Sequence, residues 1–176
     1  MIVLGVDPGT VATGYGVVVQ QGSRYICLAE GDVRAPSRWA MESRLKAIYD
    51  AIAELICTHR PQAAAVEDAF ISKTKSPQTA IKLGQARGVI LLACAQANIP
   101  VSNYSPNVAK QSVVGYGSAS KDQMSYMVTR LLNLPKPPKS EHAADALGLA
   151  LCLLQRGRID AMTAGATGAT GNRGKR

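Results

Sequence analysis

Around residue 38 the hydrophobic period of the chain changes from that of strands to that of a helix, and this change limits the fold more than any other feature. Before it, Ile2 to Val6 is an apolar run that stops at Asp7-Pro8-Gly9-Thr10, the pattern of a buried strand followed by a turn. Gly14 to Val19 and Tyr25 to Val33 are apolar and β-branched, and Gln20-Gln21-Gly22-Ser23 between them is a hairpin signal. Three strands in an antiparallel meander are expected. After the change, Trp39, Leu45, Ile48, Ile52, Leu55 and Ile56 recur at helical spacing. This predicts a helix from Arg38 to His59, with Ser37 as N-cap and Pro61 just past its end.

The short run Ala63-Ala64-Ala65-Val66 ends at Glu67 and reads as a buried strand parallel to the first. Ile71 to Ser76 is polar and reads as a loop, and Pro77 to Asn98 reads as a second helix. Gly84 and Gly88 fall on one face of that helix. Each costs about 1 kcal/mol relative to Ala, so the pair predicts close packing against another backbone, such as a second subunit. Val101 to Tyr104 is a last short strand. Two short helices are expected at Pro106–Val114 and Ser120–Leu132, around the turn Gly115-Tyr116-Gly117. Ser140 can cap a final helix running to about Gln155. The expected class is α/β, a mixed five-stranded sheet with helices on its faces and a site at the carboxyl ends of its strands.

With 176 residues the chain suits one domain. Hydrophobic residues make up 47%, too many for a disordered chain, yet no apolar run is long enough to span a membrane. The opening MIVLGVDPGT lacks a basic n-region and is not expected to be a signal peptide. Cys27, Cys57, Cys94 and Cys152 show no metal-type spacing and are expected to be small buried thiols of a cytoplasmic protein. The domain is placed at residues 1–155. Residues 156–176, rich in Gly, Ala, Thr and basic groups, are expected to form a disordered basic tail.

The net charge of +8 is unevenly spread. Residues 68–139 hold nine basic and two acidic residues, whereas residues 1–67 hold six and seven. A basic stretch of this kind suits a polyanion such as nucleic acid. The acidic groups gather elsewhere. Asp7 follows the first strand and Glu67 ends the fourth, so parallel neighbours would bring both to one sheet edge. His142 and Asp145 are three apart on the last helix and share a face. Asp145 lies among alanines and leucines, where an unpaired charge would be costly. Crowded carboxylates repel unless a hard divalent cation neutralises them. Two such ions about 3.5–4 Å apart can activate a water and stabilise the leaving oxygen of a phosphodiester.

Five motifs, VLGVDPGT-x-x-TGYGV, VEDAF, IKLGQARGV, VAKQSVVGYGSASKDQM and HAADALGLA, occur in an order and spacing that closely resembles the RuvC family of crossover (Holliday) junction endodeoxyribonucleases, over residues 1–155. The resemblance implies an RNase H-like fold and a homodimer. It implies paired symmetric cleavage of four-way DNA junctions in recombination and repair, with 5′-phosphate and 3′-hydroxyl ends. Two magnesium or manganese ions per site and the branch-migration partners RuvA-RuvB are implied with it. Asp7, Glu67 and Asp145 match three of the family's catalytic, metal-binding acids. His142 stands where the family usually has Asp, which makes the site one charge less negative and should favour manganese. Glu141 lies about 100° round the helix and is expected to act on the helix dipole or to support the ligands.

Lys110 and Lys121 match basic residues beside the acidic site and can hold the scissile phosphate or stabilise developing negative charge. Phe70 matches a residue placed at the junction centre, where an aromatic can stack on an unpaired base. Lys73, Lys75, Lys82 and Arg87 are expected to contact phosphates. Two other readings compete. The DPGT-x-x-TG start also resembles the phosphate loop of actin-like ATPases and sugar kinases, which normally need two such domains. A non-catalytic junction-binding protein would cleave no four-way junction in any divalent metal, and the intact set of four site residues argues against it.

Overall fold

The computed structural model describes residues 1–68 and 76–168, with side chains described as far as residue 157. Five strands are observed: β1 (Ile2–Asp7), β2 (Ala12–Gln21), β3 (Arg24–Arg34), β4 (Ala63–Glu67) and β5 (Val101–Tyr104). They form one sheet in the order β3-β2-β1-β4-β5. The β1–β2 and β2–β3 pairs are antiparallel, and β1–β4 and β4–β5 are parallel. The expected mixed sheet is therefore the observed one.

Helices cover both faces. On one face, α1 (Met41–His59) and α2 (Pro77–Gln96) pack Ile48, Ile52, Ile90 and Cys94 against Leu4, Val6, Val17 and Val66. On the other, α3 (Pro106–Val114), α4 (Lys121–Leu131) and α5 (Glu141–Gly168) pack Val113, Met124, Val128, Leu147 and Leu151 against Val3, Val18 and Ala65. Strand alternation explains the division. Even-numbered β1 residues face α1 and α2, and odd-numbered ones face α5. Asp7, two residues beyond Gly5, therefore lies on the α5 side.

Local chemistry sets the helix starts. Ser76, Ser105 and Ser120 each accept a backbone N–H from the third residue on, and Pro77 and Pro106 occupy the first helical position. Ser120 forms a full capping box with Gln123. Helix α1 departs from expectation. It begins at Met41 after Ala40, without a side-chain cap, and Ser37 lies outside it. The Trp39 N–H donates to the Pro36 carbonyl in a turn ahead of the helix, so Trp39 is exposed rather than part of the apolar stripe. Helix α5 is longer than expected, running through Gly168 instead of stopping near Gln155. The Ser112 hydroxyl donates to Gln155 Oε1 at 2.7 Å, and the Arg156 guanidinium lies 5.7 Å from the centre of the Tyr104 ring. These contacts anchor the helix where its expected end lies, and the backbone continues as helix beyond them.

Cys94 and Cys152 are buried and Cys27 is half-buried, but Cys57 is exposed, so the buried reading fails at that position. Burial pushes the Cys94 thiol up to about 11. No helix among the described residues is long and apolar enough to cross a membrane.

The seat of α5 on the sheet depends on glycine. A Cβ on Gly5 would lie 1.9 Å from the Ala146 carbonyl oxygen, and one on Gly14 would lie 2.1 Å from that of His142. Only a strand residue without a side chain allows the helix backbone so close. Gly5→Ala should destabilise the protein by about 3 kcal/mol, as an overpacked core does, because the obstructing atom is backbone and cannot rotate away. Urea unfolding of the variant against wild type checks this.

Candidate active site

Asp7 and Glu67 arrive together for a simple reason. Val6 pairs with Val66 in the parallel β1–β4 ladder, and both strands end on the next residue. By alternation both carboxylates lie on the α5 side. Helix α5 then brings His142 over Gly14, the cross-strand partner of Asp7. His142 Nδ1 is 2.7 Å from Asp7 Oδ2. The Asp7 side chain is 11% exposed and that of His142 is 46% exposed, so the pair joins the sheet interior to solvent.

The charges here are strongly coupled. The bond to Asp7, opposed by partial burial, raises the pKa of His142. Burial, with the Asp7 charge adding to it, pushes the Asp145 carboxyl up to about 6. Lys121, His142 and Lys110 act in the opposite direction on Asp145. The positive charges of both lysines are thus felt at Asp145. Lys121 is also bonded to Glu141, and that bond is the chief cause of its raised pKa. Glu141 is thus an ion-pair partner of Lys121, a contact that helix spacing does not reveal.

The donor set of three carboxylates and an imidazole suits a hard or borderline divalent cation. Burial, with the Asp7 charge second, raises Asp145, and Asp7 bonds His142, so the acids at this edge are partly buried and near one another. As the side chains stand, no three His, Cys, Asp or Glu groups among the described residues are close enough to hold one ion. Asp7 and His142 are instead bonded to each other, and a cation would have to replace that bond.

The remaining candidates divide. Phe70, Lys73 and Lys75 lie outside the described residues. Lys82 is exposed on α2. Arg87, expected to contact phosphate, is engaged within the chain. Its guanidinium donates to the Glu67 carbonyl at 3.3 Å and to Asn103 Oδ1 at 2.7 Å, and lies 3.7 Å from Asp68. In this arrangement it braces the end of β4 beneath Glu67.

A second brace was not anticipated from the sequence. Arg44 is buried on α1, and its Nε donates to the Thr10 carbonyl at 2.8 Å, in the loop after Asp7. The Thr13 hydroxyl, also buried, donates to the Gly9 carbonyl at 2.6 Å in the same loop. The signal for Arg44 was available: it stands four and eight residues before Ile48 and Ile52, on the apolar stripe.

The raised pKa values fix the sign of a pH effect on the metal-free protein. Burial pushes Asp145 from an ordinary 3.8 up to about 6 in the folded protein, so folding takes up a proton between those values. Its contribution to stability is lost as pH rises through about 6. The raised His142 contributes stability below its unfolded value and loses it as pH rises through the folded one. Both act in one direction, so in chelator the Tm should fall between pH 5 and pH 8. Asp145→Asn should recover on the order of 2 kcal/mol at pH 8 and nothing below about pH 4. Thermal unfolding across pH measures both.

The RuvC family model, described as crossover junction endodeoxyribonuclease RuvC, matches residues 3–153. The crossover junction endodeoxyribonuclease RuvC of Heliobacterium modesticaldum is 47% identical over 152 residues, which cover 86% of this chain and 93% of that protein. A solved structure of Thermus thermophilus RuvC superposes with a TM-score of 0.82 at 33% identity, covering 91% of this chain and 97% of that one. A second, of T. thermophilus RuvC in complex with Holliday junction substrate, gives a TM-score of 0.85 at 34% identity and covers 91% and 96%. With a sheet, helix order and carboxylate edge that match those motifs, the chain belongs to the RuvC family of crossover junction endodeoxyribonucleases.

Proposed function

We propose that this protein is a structure-specific endonuclease that resolves four-way (Holliday) DNA junctions in recombination and repair. It does so by paired, symmetric phosphodiester hydrolysis that leaves 5′-phosphate and 3′-hydroxyl ends. The observation that carries the reading is the Asp7–His142 contact beside the raised Asp145 carboxyl, at the sheet edge where Glu67 also ends. The T. thermophilus RuvC bound to Holliday junction substrate supports the choice of DNA.

Asp7, Glu67, His142 and Asp145 would hold the divalent cations, two magnesium or manganese ions per site. When bound, these ions supply activation of the attacking water and neutralisation of the leaving oxygen. The chain's own residues set the geometry. Asp7 is held nearly buried by its strand and by the Arg44-braced loop, so its carboxylate has little freedom. Lys121 and Lys110, whose charges are felt at Asp145, can hold the scissile phosphate by its charge. Phe70 would stack at the junction centre, and Lys73, Lys75 and Lys82 would contact phosphates along the arms.

Two strands must be cut, which calls for two sites. The α2 face carrying Ile81, Gly84, Gly88 and Leu92 fits a contact between two copies. Ile81 is 64% exposed and Leu92 50%. Among the described residues, outside the helix's own backbone, nothing lies within 4 Å of a Cβ built on either glycine. The close packing expected of these glycines is thus left for a partner chain. RuvA-RuvB would deliver the junction, as the family resemblance implies, and the compartment would be the cytoplasm.

Cleavage of a synthetic four-way junction, compared with a linear duplex of the same sequence, tests the reading directly. Asp7→Asn should abolish cleavage while leaving junction binding unchanged by gel shift; full activity in that variant would refute the site. His142→Asp should lower the manganese-to-magnesium rate ratio, since imidazole suits manganese better than a carboxylate does. Gly88→Leu should turn a dimer into a monomer by light scattering without lowering the Tm of the domain.

A further inference from the structure

Asp32 on β3 belongs to no motif that points to the site, yet the sheet places it beside the site. Asp7 pairs across the ladder with Gly14, and Gly14 pairs with Asp32. The three form one row beneath the first turn of α5, with the His142 backbone over the central glycine and a carboxylate on either side. The Asp32 side chain is 7% exposed and pairs with the exposed Arg34 at 3.5 Å, and its charge also acts on His142. Its other oxygen accepts the Ser140 hydroxyl proton at 2.5 Å. The same Ser140 oxygen accepts the Ala143 N–H at 3.0 Å, which is the N-cap bond of α5. Next to it, the Lys139 N–H donates to Glu30 Oε2 at 3.2 Å, and Lys139 Nζ donates to the Glu30 carbonyl at 3.3 Å.

We infer that Asp32 is a positioning residue for the catalytic helix: through Ser140 it fixes the first turn of α5, and so the placement of His142 and Asp145 against Asp7. The chemistry is directional. A serine hydroxyl rotates freely unless its proton has an acceptor. The Asp32 carboxylate takes that proton, which aims the lone pair at the Ala143 N–H and polarises the hydroxyl as an acceptor. Its negative charge also lies at the positive end of the α5 dipole. The cap is thereby anchored to the sheet instead of to the flanking loop alone. His142 follows two residues later, within the same turn. The Glu30–Lys139 bonds fasten the preceding residue to the same strand, so the chain entering α5 is tied at two successive positions.

This inference rests on the reading of Asp7, His142 and Asp145 as metal ligands, and its test separates the two. Manganese binding to the free protein is followed by electron paramagnetic resonance, without DNA, for wild type, Asp32→Ala, Asp32→Asn, Ser140→Ala and the Asp32→Ala/Ser140→Ala pair. Backbone amide exchange of residues 141–145 is measured alongside. Asp32→Ala and Ser140→Ala should each weaken manganese binding about fivefold, the usual worth of an N-cap, and speed exchange in the first turn of α5. The double variant should be no worse than Ser140→Ala, because the two act in series. Asp32→Asn keeps an acceptor for the hydroxyl and should restore most of the affinity. Junction cleavage, normalised to the folded fraction measured by circular dichroism, should show a lower kcat with KM for DNA unchanged. Wild-type protein that binds no manganese overturns both the ligand assignment and this inference. Wild-type binding matched by Asp32→Ala, or additive losses in the double variant, overturns the positioning role alone.

Discussion

The backbone of α5 lies directly on the glycines of β1 and β2, and the site depends on that contact. With any side chain at Gly5 or Gly14 the helix would stand off the sheet, because the obstructing atoms are its own carbonyl oxygens. His142 would then no longer reach Asp7. The same contact buries Leu147 and Leu151 against the sheet, so packing energy and ligand placement come from one interface. A displacement of about 1 Å in a reacting group is enough to cost a large factor in rate. A packed core resists such a shift better than a loop does.

Around this contact the protein braces the candidate site from several elements. Arg44 reaches from α1 to the loop after Asp7, Arg87 from α2 to the carbonyl of Glu67, and Asp32 from β3 to the cap of α5. Two of the three are arginines that donate to main-chain carbonyls. An arginine suits this role because it is always charged, has five donors in a rigid plane, and can hold a carbonyl without titrating. The site itself is under electrostatic tension. Burial and the Asp7 charge raise Asp145, and a bond to Asp7 raises His142, so protons take the place that a cation would relieve. A neutral imidazole at position 142 leaves this edge one charge less negative than a carboxylate there would.

The order of strands and helices was legible because it rests on local patterns: apolar runs with carboxylates at their ends, a serine cap at Ser140, and prolines at the first turn of α2 and α3. The start of α1 was misread because Trp39 falls in phase with the helical stripe, and phase alone does not distinguish a residue in a turn from one in the helix. The exposure of Cys57 was missed for a similar reason, since its apolar neighbours belong to the buried face of α1 and it does not. Gly5 and Gly14 could have been read as sites of close approach, for glycine in a strand interior usually marks one. The partner on them could not, because nothing local names it.

By itself the sequence determined the order of the elements and which candidate residues each element carries. Strand and helix periods are properties of neighbouring residues, and the family motifs that hold Asp7, Glu67, His142 and Asp145 are contiguous. Only the tertiary structure decided what each of them touches. The Asp7–His142 bond, the Lys121–Glu141 pair, the turn of Arg87 toward Glu67 and the Asp32–Ser140 cap join residues 20 to 135 positions apart. Such contacts follow from sheet order, strand register and the close seat of one helix, which are set by how the whole core packs and not by any local run of residues.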